Sequence, residues 1–331
     1  MLLLQIIYIT TYFYFMCAYS YLLITPSFLL SNTKIINYIK ELGQTLTTIM
    51  LLNGFNAELN TNMNIKEKLN ENPNMIDIIL CNHFSLYDFV ILISYLQSMG
   101  ISGFNFILKK EITYFPGIGF IMYTSNDIKL SRNWEQDKTT FSKQIDNLKS
   151  SLTNNMKQVI IIFPEGTRST PKKLQEGQDF SRKNDFPVYN NLLVPRIKGL
   201  YYLINNLKTS NQLGRIWDMT LVIPKLATHS FGSPLGQVYI NSMELSLLED
   251  YQDIDIFKLW VLENWKIKDN FIDNYNSIKY QKVDFSDLKY NNICIITFIS
   301  ILSLLLLSNK YSRYYLLISC IIAYIFVIFK L

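Results

Sequence analysis

Between residues 75 and 245 the chain breaks into short apolar runs separated by longer stretches of mixed character. Met75–Cys81, Phe104–Leu108, Ile128–Ser131, Val159–Phe163 and Met219–Pro224 are such runs, with a shorter one near Val238–Ser242. Runs of this length and β-branched content, bounded by polar residues, read as buried strands. Two intervening stretches read as helices: about Ser85–Ser98, and a polar one from about Trp134 to Asn154. Asp253–Tyr275 sets Ile256, Leu259, Trp260, Leu262, Trp265, Ile267 and Phe271 among Asp255, Lys258, Glu263 and Lys266, the spacing of a long amphipathic helix. Such alternation predicts an α/β fold, a sheet covered by helices on both faces. Residues Asn56–Pro73, rich in Asn, Lys and Glu, read as a polar connector leading into it.

The two ends follow a different pattern. From Met1 to about Leu30 there is no charged side chain, enough chain for a helix across a hydrocarbon core of about 30 Å. The segment lacks the basic start and short apolar stretch of a cleaved signal peptide. Lys34 and Lys40 follow it, so the positive-inside rule places what comes next in the cytosol. Ile35–Phe55 carries Ile35, Ile36, Ile39, Leu42, Leu46, Ile49 and Met50 at helical spacing. It is expected to lie in the membrane interface or to pack on the domain. Near the other end, Ile293–Leu307 and Tyr314–Phe329 flank Ser308–Arg313 and read as a tight membrane hairpin. The expected division is an anchor over 1–55, a globular domain over 56–285 and a hairpin over 286–331, with membrane helices at both ends.

Composition agrees with this. Of the 331 residues 49% are hydrophobic and only 17% charged, too apolar for an ordinary soluble domain. The formal net charge of +5 falls short of a nucleic-acid footprint and suits anionic lipid headgroups. Cys17, Cys81, Cys294 and Cys320 form no C-x-x-C pair, so neither a disulfide scaffold nor a zinc site is expected. With only two histidines, His83 and His229, no metal site is expected. His229, with no motif around it, reads as a surface residue.

The candidate chemistry lies in two polar clusters, each directly after a strand: Cys81–Asp88 and Phe163–Ser169. Strand ends are where open α/β sheets place their sites. A His and an Asp five residues apart do not share a helical face. On a strand-to-helix turn, however, Asp88 would fold back onto the His83 imidazole, fixing its tautomer and leaving the other nitrogen to take a proton. The plain alternative for His83 is a hydrogen-bonded core histidine. Cys81 reads as a small buried strand residue rather than a nucleophile, and no G-x-S-x-G elbow surrounds Ser85.

Asn82–Asp88 and Phe163–Ser169 resemble the N-H-x4-D and F-P-E-G-T-R-S motifs of the glycerolipid acyltransferase family. Between them Leu108–Gly119 resembles the family's L-K-x-x-L-x-x-x-P-x-x-G block, and Ile128–Arg132 the strand that delivers its arginine. Val194–Gly199 resembles the P-R-x-K form of the branch that acts on 1-acylglycerol 3-phosphate and lysocardiolipin. The five blocks occur in the family's order over about 120 residues.

The resemblance implies an O-acyltransferase in which the acceptor's own hydroxyl attacks an acyl-CoA thioester. His83 would be the base and Asp88 its orienting partner, as in a triad whose serine is replaced by substrate. Arg132, Glu165, Gly166, Thr167 and Arg168 would bind substrate. A guanidinium at Arg168 grips phosphate in two-pronged fashion, and Glu165 would fix it or bond a glycerol hydroxyl. Lys109 would be a second phosphate contact, while Pro116, Gly117 and Gly119 would shape a turn. Arg196 and Lys198 would contact headgroup or CoA phosphates, or else form a solvated strand edge. No metal or bound cofactor is implied, and acyl-CoA is a co-substrate. The implied acceptor is a lysophospholipid, foremost 1-acyl-sn-glycerol 3-phosphate giving phosphatidate, with lysophosphatidylinositol or lysocardiolipin as alternatives. A catalytically silent lipid-binding scaffold is the reading from another class. The implied partner is the bilayer, not nucleic acid, at the endoplasmic reticulum with the catalytic domain facing the cytosol.

Overall fold

The computed structural model describes residues 41–286, apart from 42, 46, 102, 115–126, 132, 153–156, 225 and 227–233. The expected spanning helix and hairpin lie outside the described residues, as do Pro116, Gly117, Gly119, Arg132 and His229. Among the described residues no helix is long and apolar enough to cross a membrane.

Among the described residues eight strands form one sheet: β1 Ala57–Thr61, β2 Ile76–Cys81, β3 Phe104–Lys109, β4 Ile128–Leu130, β5 Gln158–Ile162, β6 Leu213–Val222, β7 Gly236–Leu245 and β8 Gln281–Lys282. Their spatial order is β4-β3-β5-β2-β6-β7-β1-β8. The first five in that order run parallel. β7 returns antiparallel to β6, β1 lies parallel to β7, and β8 closes the edge antiparallel to β1. The helices that cover the sheet are α1 Tyr87–Ser98, α2 Trp134–Ser151, α3 Pro171–Lys183, α4 Ile197–Thr209 and α5 Ile254–Asp273.

The central strands are legible because both their faces are buried. β2 is buried at every position, as a parallel strand between two helical layers must be. Its side chains alternate between two cores with the period of a strand. Ile79 and Cys81 join Val90, Ile91 and Tyr95 of α1 on one side. Ile76, Ile78 and Leu80 join Phe141 and Ile145 of α2, Leu200, Leu203 and Leu207 of α4, and Trp265 of α5 on the other. The expected α/β sheet covered on both faces is what the chain forms.

Three local expectations need correcting. The polar connector contains β1 and a helical turn at Lys66–Asn70. Its polar strand residues are satisfied inside the fold: Thr61 Oγ1 lies 3.0 Å from the Tyr95 hydroxyl, and Asn60 Nδ2 donates to Gln237 Oε1 at 2.7 Å. β6 begins at Leu213 rather than Met219, and β7 has ten residues because the two pair along most of their length. Helices α3 and α4 were not anticipated. α3 starts at Thr170-Pro171, where Thr170 Oγ1 accepts from Lys173 N and proline occupies the first position. Of the two placements expected for the amphipathic segment, its described part takes the second and packs on the domain. Thr45, Thr47 and Thr48 are buried, the Gln97 amide of α1 bonds the hydroxyls of Thr45 and Thr48, and Phe55 meets Tyr87 edge-to-face at 4.9 Å.

Candidate active site

β2 and β5 are neighbours and end at the same edge of the sheet, so the segments that follow them are brought together. After Cys81 the chain turns through Asn82–Leu86 into α1. Asn82 is locked by its amide, which donates to Leu221 O at 3.0 Å and accepts from Leu221 N at 2.8 Å. Asp88, in the first turn of α1, is fully buried and folds back. Its Oδ2 lies 2.9 Å from His83 Nδ1 and accepts from the backbone of Phe84 at 2.7 Å and Ser85 at 2.8 Å. Its Oδ1 accepts from Ser85 Oγ at 2.8 Å. A carboxylate so surrounded by donors stays an acceptor, so Nδ1 carries the proton and Nε2 holds the free lone pair. Among the described residues Nε2 has no partner, and the imidazole is 21% exposed. The ring stacks on Phe163, centroids 4.4 Å apart.

The second motif is stitched to the first through both main-chain groups of His83. Its N–H donates to Glu165 Oε1 at 3.0 Å, and its carbonyl accepts from Ser169 N at 2.8 Å. The other Glu165 oxygen accepts from Leu193 N at 3.4 Å. Glu165 is 2% exposed, and burial pushes its carboxyl up to about 8, against the opposite pull of those backbone donors and of Lys268. The carboxyl therefore braces the His83 turn against the Leu193 loop. Among the described residues it makes no bond to Arg168, which is exposed with a partnerless guanidinium.

Gly166 has φ +68°, and a Cβ there would come within 2.8 Å of Arg196 Nε. Glycine is thus needed both for the turn and for the close approach of the arginine. The Arg196 backbone is fixed by donation to Pro164 O at 2.8 Å. Arg196 occupies the position just before α4, and Lys198 lies in its first turn. Neither belongs to the strand edge considered from the sequence.

A cavity of about 770 Å³ opens beside this edge. Ile107, Leu130, Trp134, Phe163, Phe180 and Leu200 make its walls apolar, and Lys109, Lys173, Arg196 and Lys198 bring cations to it. Gly166 and Thr167 also line it. His83 does not line it, whereas Phe163, which does, stacks on the imidazole. Lys173 escaped the sequence reading. It lies in the first turn of α3 and reaches back to Thr167 Oγ1 at 2.7 Å and Arg168 O at 3.2 Å; recognising Thr170-Pro171 as a helix start would have placed it there. Cys81, by contrast, has its thiol pushed well up by burial, the reverse of an activated nucleophile. Among the described residues no His, Cys, Asp and Glu group could hold a metal ion.

A His–Asp pair at one strand end and a glycine-arginine turn at the next thus meet at one end of an α/β sheet. The family model described as "Acyltransferase" matches residues 60–206. The chain is 26% identical over 204 residues to 1-acyl-sn-glycerol-3-phosphate acyltransferase 2 of Arabidopsis thaliana, covering 60% of this chain and 51% of that protein. It is 26% identical over 176 residues to lysophosphatidylinositol acyltransferase 10 of Caenorhabditis elegans, covering 51% of this chain and 44% of the relative. The crystal structure of the 1-acyl-sn-glycerophosphate (LPA) acyltransferase PlsC from Thermotoga maritima aligns with 80% of this chain and 97% of its own, at 15% identity and a TM-score of 0.46. Over the part that carries both motifs the chain is thus similar to glycerolipid acyltransferases. It spans about half the length of the curated plant relative it matches.

Proposed function

We propose that this protein is an acyl-CoA-dependent O-acyltransferase that moves a fatty acyl chain to the free hydroxyl of a lysophospholipid. The observation that carries the reading is the His83–Asp88 pair, with Nδ1 tied down at 2.9 Å and Nε2 open. In the proposed step Nε2 takes the acceptor's hydroxyl proton as its oxygen attacks the thioester carbon. The carbon–sulfur bond breaks, and CoA leaves as a thiolate that takes up the proton. Asp88 stabilises the transient imidazolium, and a positioned base of this kind contributes about 10²–10⁴ in rate.

The neighbouring cavity suits an amphiphile, with apolar walls for a chain and Lys109, Lys173, Arg196 and Lys198 for phosphate. The exposed guanidinium of Arg168 is a further phosphate donor. We take 1-acyl-sn-glycerol 3-phosphate as the preferred acceptor, giving phosphatidate; lysophosphatidylinositol is the second candidate, because one relative is named for it. The uncharged first segment supports a membrane-bound enzyme, in our reading at the endoplasmic reticulum with the domain on the cytosolic side.

The test is CoA release by membranes containing the full chain, given oleoyl-CoA and a panel of lysophospholipids. Release that requires an acceptor and is abolished by His83→Ala is expected, and the best acceptor identifies the headgroup. Undiminished release by His83→Ala would remove His83 as the base. No transfer to any acceptor would leave the silent scaffold as the better reading.

A further inference from the structure

The helix α5 lies beyond the residues that match the family model, yet Trp265, Lys268 and Asp269 on its buried face bond the backbone around the site. Lys268 has no exposed side-chain surface. Its ammonium bonds Asp218 Oδ1 at 2.8 Å, Met219 O at 2.8 Å and Leu80 O at 3.1 Å, and it lies 4.5 Å from the centre of the Trp265 ring. An ammonium has three protons, and all three are committed. None remains for a ligand, so this lysine acts on geometry. Leu80 stands three residues before His83, on the strand that delivers it.

The same helix grips the other limb of the site. Asp269 accepts from three successive backbone N–H groups, Asn190 at 2.7 Å, Asn191 at 2.7 Å and Leu192 at 3.0 Å. Trp265 Nε1 donates to Leu193 O at 3.0 Å. Leu193 N and His83 N are the two donors that hold Glu165. A closed path therefore runs from α5 through Leu80 to His83, across Glu165 to Leu193, and back to α5.

We propose that Lys268 is a positioning residue of the active site: seated between β2 and β6 and clamped to Asp218, it fixes the strand end from which His83 is presented. This rests on the reading of His83 as the base. Losing the seat lets the imidazole drift relative to the bound hydroxyl, and misplacement of about 1 Å lowers the rate of an oriented reaction by up to about 10²-fold. Substrate binding is unaffected, because Lys268 touches no part of the cavity.

Lys268→Met alone would strand Asp218 as an unpaired buried charge and unfold the protein for a trivial reason. The informative variant is Lys268→Met with Asp218→Asn, a neutral pair of similar volume. Lys268→Arg is the second probe; it keeps the charge but cannot seat a planar group among the same three acceptors. Full-length proteins in detergent are compared by thermal melting, then by kcat and KM for oleoyl-CoA and for 1-oleoylglycerol 3-phosphate. We expect folded variants whose kcat falls about 10- to 100-fold with both KM values within about twofold. Native kcat in a folded variant would overturn the proposal, and so would a rise in KM that accounts for the whole loss. If the double variant does not fold, Lys268→Arg decides on the same criteria. His83→Ala is run alongside. An active His83→Ala protein refutes the base itself, whereas an inactive one beside fully active Lys268 variants refutes only the role of Lys268.

Discussion

Two buried lysine–aspartate pairs stand at opposite ends of the same sheet. At the end where the parallel strands begin, Lys157 Nζ lies 2.8 Å from Asp77 Oδ1. The lysine also bonds the carbonyls of Asn72 and Met75, while Asp77 accepts from Arg215 N and Trp217 Nε1. At the other end Lys268 lies 2.8 Å from Asp218. The chemistry is the same, and so is the satisfaction of nearly every polar atom. What differs is what the surrounding backbone leads to. The first pair closes the turns that start β2, β5 and β6. The second lies under the strand end that carries His83. The difference teaches that a buried ion pair is not functional or structural by its own geometry; its role is set by which backbone it immobilises.

The largest effect expected belongs to the site end. Asp88→Ala removes the acceptor for His83 Nδ1 and for three other donors. The imidazole loses its tautomer and its orientation, and kcat should fall by about 10³–10⁴, or roughly 4–5 kcal/mol of transition-state stabilisation. Steady-state rates per folded molecule measure this, and a loss under tenfold would remove Asp88 from the mechanism. The comparable break at the far end is Asp77→Ala. It leaves Lys157 buried without its partner, which costs about 3–5 kcal/mol of stability. Denaturant unfolding should register that cost, while kcat per folded molecule stays native. A kcat that falls with Asp77→Ala would abolish the distinction between the two ends.

The sequence revealed these two ends unequally. His83 with Asp88, and Glu165 through Arg168, could be found because each cluster is contiguous and directly follows an apolar strand. β2 and β5 were equally visible, since burial on both faces forces a largely apolar run, and β3 showed through Phe104, Phe106, Ile107 and Leu108. β1 was not, because Ala57-Glu58-Leu59-Asn60-Thr61 is half polar, and its pairing with β7 reaches across most of the domain. Glu165 was visible as a residue but not in its contacts. Its neighbour Arg168 suggested an ion pair, whereas the fold turns the carboxyl inward onto Leu193. Lys268 left one signal. It continues the stripe of Phe257, Val261 and Trp265 along the buried face of α5, where a lysine requires a partner. That the partner is Asp218, far away in sequence, only the packing of α5 on β6 could supply.

The most gradual effect, a slope spread over several pH units rather than a single loss, concerns pH and separates Glu165 from Asp77. Asp77 has a lysine within bonding distance; among the described residues Glu165 has none, only two backbone donors. Burial raises the Glu165 carboxyl from about 4.5 in the unfolded chain to about 8 in the fold. The folded state therefore holds a proton that the unfolded chain has already released through this window. The stabilisation from that proton is complete below about pH 4.5 and is lost progressively as the pH rises to about 8. The slope is on the order of 1 kcal/mol per pH unit. Glu165→Gln has no proton to lose, so its stability should run flatter than wild type across the same window, even though its amide meets one backbone N–H with the wrong group. Urea unfolding of both proteins from about pH 5 to about pH 8 compares the slopes. Parallel curves would mean that Glu165 is ionised throughout, with Lys268 and the two N–H groups together outweighing its burial. The carboxylate would then be a standing negative charge beside His83 and Asp88, and the electrostatic load on Lys268 would be larger than its three hydrogen bonds indicate.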